Sequence, residues 1–96
     1  KFNEIIIDSK SGFSGAGKNL KKKFNHKNLY NSTFAYKPKN HRHICEIEQE
    51  LKKFTKKNIS FTFNPHLLPT YRGILSSIYV KTKSTPIKIR NTLLKF

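Results

Sequence analysis

The apolar residues of this chain come in pieces no longer than a strand. Ile5-Ile6-Ile7 and the stretch 73–80 are the longest, far short of the ~18 residues a membrane span needs. Apolar residues make up 35% of the 96, against roughly 45–50% in an ordinary globular domain. A chain of this length holds one core. That core must be thin, assembled from short strands and one-sided helices, and in need of a partner surface. The single Cys excludes an internal disulfide and fits a reducing compartment, so a cytoplasmic location is expected. No basic-then-apolar signal segment opens the sequence. The absence of any Met reads as a fragment or a processed piece of a longer chain.

Charge is the second constraint. Lys and Arg number 20 against 5 Asp and Glu, a net charge of +15. Lys outnumbers Arg 17 to 3, and Lys, Asn, Ile and Phe dominate together. That is the set AT-rich codons encode, so much of the charge reads as codon bias. The resulting field still attracts anions without saying which.

The pattern divides the chain into short segments. Residues 2–8 read as a strand built on Ile5, Ile6 and Ile7, ended by Asp8-Ser9. Residues 9–17 read as a loop rich in Gly and Ser. Residues 18–27 are a basic stretch with Leu20 and Phe24 four apart, a short helix or a solvated loop. Residues 29–36 carry Tyr30, Phe34 and Tyr36 at even spacing and read as a short strand. The clearest helix is 44–55, where Ile44, Ile47, Leu51 and Phe54 form one stripe. Its Glu46, Glu48 and Glu50 come early and Lys52 and Lys53 late, as the helix dipole favours. Residues 59–63 alternate as a half-buried strand. Pro65 and Pro69 frame a rigid turn, and 73–83 is a long strand. Thr85 then caps a helix over 87–94 with Pro86 at its first position, burying Ile87 and Leu94. The fold class expected is α+β, a mixed sheet with helices on one face.

Several motifs carry possible chemistry. Gly12 to Asn19 stands one residue from a phosphate-cradling P-loop, with Asn19 where a Ser or Thr should meet magnesium. A tight Gly-rich turn is the plainer reading. Between the two lies a loop whose exposed amides hold an anionic group. His41, His43 and Cys45 alternate, with His66 further on, but the helix start at Cys45 breaks the alternation a zinc site would need. Cys45 beside His and Arg at a helix start has the surroundings of an activated thiol, and equally of a small first-turn residue. Arg42 and Arg72 are suited to paired hydrogen bonds with carboxylate or phosphate. The basic stretch 18–27, with Phe24 and His26, supports a competing reading as a small basic nucleic-acid-binding module.

Three segments together resemble one family. They are Ile5-Ile6-Ile7-Asp8-Ser9-Lys10-Ser11-Gly12-Phe13-Ser14-Gly15-Ala16-Gly17-Lys18, then Ala35-Tyr36 with His41-Arg42-His43-Ile44-Cys45-Glu46-Ile47, then Phe63-Asn64-Pro65-His66-Leu67-Leu68-Pro69-Thr70-Tyr71-Arg72-Gly73-Ile74-Leu75. Their order and spacing are similar to the second domain of the N-acetyl-gamma-glutamyl-phosphate reductases, whose patterns are K-S-G-x-S-G-A-G, H-R-H-x-P-E-I and P-H-L-x-P-M-x-R-G-I. The resemblance implies an NADPH-dependent enzyme of arginine biosynthesis. In such an enzyme a Cys in an N-P-G-C motif attacks an acyl phosphate, phosphate leaves, and the thioester is reduced to the semialdehyde. Neither that Cys motif nor a dinucleotide fingerprint lies in these 96 residues.

Residues 1–96 are then expected to be part of a substrate-binding and dimerisation domain. Its architecture is that of the second domain of glyceraldehyde-3-phosphate dehydrogenase-like enzymes. Its partners would be the remainder of its own chain, a second copy and a small acyl-phosphate substrate, with neither nucleic acid nor membrane. The motif match makes His41 the acid–base group beside the Cys. It places Ser11, Gly12, Tyr36 and Glu46 around the site, and chemistry adds Arg42 and Arg72 for substrate anions. NADPH would be held mainly by the other domain, and no metal is expected. Cys45 stands where the family has Pro, and Thr70 where it has Met.

Overall fold

A computed structural model describes residues 4–16, 31–55 and 59–96. Four strands form one mixed sheet: β1 (Ile5–Gly12), β2 (Phe34–Ala35), β3 (Phe61–Leu68) and β4 (Ile74–Val80). Their spatial order is β2-β3-β1-β4, with β1 parallel to β3 and antiparallel to β4. Two helices, α1 (His43–Phe54) and α2 (Pro86–Leu93), complete the α+β architecture.

The strands differ from the sequence pattern where polar residues hide them. β1 runs on through Ser9, Lys10 and Ser11 to Gly12, and the expected loop shrinks to a 3₁₀ turn over Phe13–Ala16. Two partners explain this, because Ser9 pairs with Pro65 on one side and Ser76 on the other. A central strand tolerates weak β-formers when both neighbours supply hydrogen bonds. Pro65 belongs to no turn but to β3 itself, which continues to Leu68. It sits where β3 faces β2. There Tyr36 N–H donates to the Pro65 carbonyl at 3.0 Å, and the return bond has no donor. The ladder ends at that point, which is why β2 is two residues long rather than the eight expected over 29–36. Residues 18–27 lie outside the described residues.

α1 begins and ends one residue earlier than its pattern. Its early acids and late bases pair along the helix, Glu48 with Lys52 at 2.9 Å and Glu50 with Lys53 at 2.6 Å. Ile44, Ile47 and Leu51 are half-buried, while Phe54 at the end of the stripe is exposed. Cys45 is the third residue of α1, and it is exposed. The Thr85–Pro86 start of α2 is as expected, with Thr85 Oγ1 accepting from Lys88 N–H at 3.4 Å. The expected burial of Ile87 and Leu94 does not occur. Both are more than two-thirds exposed, and no residue of α2 is buried. Among the described residues the buried apolar side chains are Phe63, Pro65 and Leu67, which alternate along one face of β3. No helix among the described residues is long and apolar enough to cross a membrane.

Candidate active site

Register decides what shares a face. Ile7, Ser9 and Ser11 of β1 stand beside Phe63, Pro65 and Leu67 of β3 and beside Ile78, Ser76 and Ile74 of β4. His43, Glu46 and Ile47 of α1 meet this face, and between them lies a cleft of 450 Å³. That volume is within the range of small-ligand sites.

His41 is set into this cleft just before α1, and it is 8% exposed. The turn that delivers it is tight. Lys37 takes a left-handed φ of 46° ahead of Pro38, and Asn40 N–H closes back to the Lys37 carbonyl at 3.2 Å. The imidazole packs edge-on against Phe63 of the core at 5.3 Å between ring centres. Its Nε2 lies 3.1 Å from the Tyr36 hydroxyl, and its Nδ1 lies 3.2 Å from the His43 backbone nitrogen, which donates to it. Burial holds the His41 pKa below the ordinary imidazole value, and the positive neighbours His43, Arg42 and Lys37 act in the same sense. Glu46 opposes them, and it pairs with His43 at 3.8 Å.

A second cleft of 280 Å³ adjoins the first and is lined by Ser11, Gly12, Ser14, Gly15 and Arg72. The Gly-rich loop makes its wall, but not as an amide cradle. Gly12 N–H donates to the Gly73 carbonyl at 2.8 Å, Phe13 N–H to Thr70 at 3.0 Å and Ser14 N–H to Tyr71 at 3.0 Å. Those three amides stitch the loop to the 70–73 turn and are closed to an anion. Gly12 is glycine for the same reason: a Cβ there would stand 2.8 Å from Arg72 N and from the Tyr71 carbonyl oxygen. The P-loop reading and the loop-amide anion reading both fail at these three positions. Gly17, Lys18 and Asn19 lie outside the described residues. Gly73 turns with φ at +109°, and Arg72 lies over the Tyr71 ring at 5.3 Å.

The structure therefore brings Ser11, Tyr36, His41 and Glu46 to the larger cleft and Ser11, Gly12 and Arg72 to the smaller one. Arg42 lines neither cleft. It is exposed at the helix start and reaches His41 through its charge alone. Sequence reasoning missed Ser9 and Ser76, whose hydroxyls meet at 2.7 Å on the floor of the cleft. Only the strand register could have paired them. His66 is on the opposite face, opposite Lys10. There Asp8 takes a hydrogen bond from Lys10, which holds its carboxyl below the usual range. Asp8 Oδ1 also lies 3.0 Å from His66 Nδ1, and that nitrogen lies 3.2 Å from the Asn64 carbonyl. Among the described residues no three His, Cys, Asp or Glu side chains group as metal ligands.

With this geometry in hand, the chain can be set beside known proteins. The family model of the semialdehyde dehydrogenase dimerisation domain matches residues 1–96. The chain belongs to that family. It is 47% identical over 92 residues to an N-acetyl-gamma-glutamyl-phosphate reductase of Clostridium kluyveri, covering 96% of this chain and 26% of the relative. A reductase of the same name from Brachyspira hyodysenteriae is 49% identical over 90 residues, covering 93% of this chain and 25% of the relative. One from Staphylococcus aureus is 45% identical over 82 residues, covering 85% and 24%. The chain thus spans about a quarter of the length of these relatives. The resemblance read from the three motifs holds over nearly all of the semialdehyde dehydrogenase dimerisation domain seen here.

Proposed function

We propose that residues 1–96 are the substrate-facing and subunit-pairing part of a reductase that converts N-acetyl-glutamyl 5-phosphate to the 5-semialdehyde and phosphate in arginine biosynthesis. The observation that carries this reading is His41. A buried imidazole, gripped at both nitrogens, opens on a cleft large enough for a small acyl phosphate. A ring with a lowered pKa is neutral near pH 7 and can hold or pass a proton at a fixed atom. The nucleophilic Cys comes from the remainder of the chain. Ser11 and Glu46 line the cleft with His41, and Arg72 beside Ser11 offers a guanidinium to the phosphate or carboxylate. Arg42 contributes positive field. The domain pairs with a second copy, and the enzyme works in the cytoplasm.

NADPH supplies the reducing equivalents when bound. The residues described here do not fit it: the smaller cleft is 280 Å³, and the amides of Gly12, Phe13 and Ser14 are spent on carbonyls. The dinucleotide is accordingly assigned to the remainder of the chain, and no residue here is given to it.

The test is an assay of a full-length reductase carrying this segment, with the acyl phosphate and NADPH supplied. Phosphate release matched by NADPH consumption is expected, with none from residues 1–96 alone. A full-length chain without that turnover overturns the reading, and turnover by the segment alone overturns its division of labour.

A further inference from the structure

Both ring nitrogens of His41 have partners, and one partner can act in only one way. The His43 backbone N–H is a donor with nothing to accept, and it lies 3.2 Å from Nδ1. Nδ1 must therefore carry its lone pair toward that amide. A neutral imidazole has one proton, which must sit on Nε2. The Tyr36 oxygen, 3.1 Å away, is then the acceptor of Nε2–H. A second proton on Nδ1 would set N–H against N–H and break the His43 contact. The surroundings oppose that proton as well: Lys37 from the turn and Arg42 and His43 at the start of α1 are all cationic or able to become so. Glu46 is the one carboxylate among them, while β3 contributes the uncharged ring of Phe63.

Resting on the reading above, we infer that the His43 backbone amide and the Tyr36 hydroxyl together lock His41 as the neutral Nε2–H tautomer. The resting ring is a hydrogen-bond donor at Nε2, and Tyr36 is a positioning residue for it rather than a ligand of substrate. This narrows the acid–base assignment. In the locked state the imidazole has no free lone pair with which to take a thiol proton. What it can do, by turning Nε2–H away from Tyr36, is donate a hydrogen bond to an oxygen that gains charge in the cleft.

The tautomer can be read without turnover. A full-length reductase carrying this segment, labelled with ¹⁵N-histidine, is examined by NMR near neutral pH, and the His41 signals are identified by their loss in His41→Asn. A protonated Nε2 with an unprotonated Nδ1 is expected. Tyr36→Phe should keep this tautomer, which the His43 amide dictates, while leaving Nε2–H without its partner. It should lower kcat about tenfold, the worth of one hydrogen bond, with KM moved less than about twofold. A protonated ring or an Nδ1–H form in the unmutated enzyme overturns the inference. So does Tyr36→Phe that raises KM while leaving kcat intact, the result expected of a substrate ligand. If Tyr36→Phe does not fold, the spectrum of the unmutated protein decides alone. An Nε2–H spectrum in a chain lacking reductase activity upholds the lock and defeats the proposed function.

Discussion

The two neighbours of β1 show how little a hydrogen-bonded ladder achieves by itself. β3 and β4 flank the same strand, and both pair with it along most of its length. On the β3 side Phe63, Pro65 and Leu67 are buried. On the β4 side no residue is buried, and Ile74, Leu75, Ile78, Tyr79 and Val80 are all exposed. The difference is cover. β3 has β2 beyond it, with Tyr36 and the buried His41 ring laid on its face. Backbone pairing fixes where a side chain points, but burial needs a second layer. The histidine proposed as the acid–base group is part of that second layer, so the candidate site and the core are one construction.

The largest test of this contrast is His41→Asn in the full-length chain. On the proposed role kcat falls by roughly 10²–10⁴-fold, the usual range for a lost acid–base group, and KM changes much less. His43→Asn leaves the backbone amide in place and should be mild. Steady-state kinetics on both variants check this, and near-normal turnover in His41→Asn sinks the assignment.

Next in size is the crossing of Gly12 over the 70–73 turn. Gly12→Ala must displace backbone and should cost about 1–3 kcal/mol, as overpacking does. Gly15→Ala in the same loop meets open space and should cost far less. Denaturant melts of the two variants give the comparison, and equal losses would refute the close approach.

A smaller effect is expected with pH. The unfolded His41 imidazole titrates near its ordinary 6.5, and the folded one lower. Between those values the unfolded chain binds more protons, so stability declines as pH is lowered through that window. His41→Asn should remove that part of the slope. Melting curves from pH 7 down to pH 5 on both proteins measure it, and an unchanged slope would show that the ring is not held neutral.

The exposed side supplies the two smallest effects. Leu75 on β4 is 63% exposed, so Leu75→Glu should shift the stability of the segment by no more than about 0.5 kcal/mol. A larger loss, read by denaturation, would mean that this side carries hidden cover. Cys45→Pro restores the residue of the family motif at an exposed third position of α1. Activity should be kept and stability altered by less than about 1 kcal/mol, the scale of proline effects at compatible sites. Lost activity with an intact fold would revive the thiol as a reacting group.

Much of this was legible in the sequence, and the exceptions share a cause. α1 announced itself through Ile44, Ile47 and Leu51 and its ordered charges, and Thr85-Pro86 marked the start of α2, because those signals are local. The motifs named His41, Tyr36, Ser11 and Glu46, and all four line one cleft. Pro65 was misread because a proline looks like a turn until its place at the end of the β2–β3 ladder is known. Ser9 to Gly12 looked like a loop because nothing local reveals two partner strands. Gly12 looked like part of a phosphate cradle because the 70–73 turn that occupies its amide is distant in sequence. Ile87 and Leu94 were expected inside because a stripe states a preference for cover without supplying it.

The order of strands has a consequence for how the chain assembles. Among the described residues β1 is the first strand, and it is an inner one in the sheet, between β3 and β4. Its two partner strands among the described residues begin only at residues 61 and 74, so the Ile5-Ile6-Ile7 run emerges well before either. Such long-range parallel pairing slows folding and lengthens the time a bare strand is open to wrong partners. Asp8 and Lys10 then have a use that the finished fold does not display. Their paired charges follow the isoleucine run directly and discourage other strands from zipping onto it while it waits.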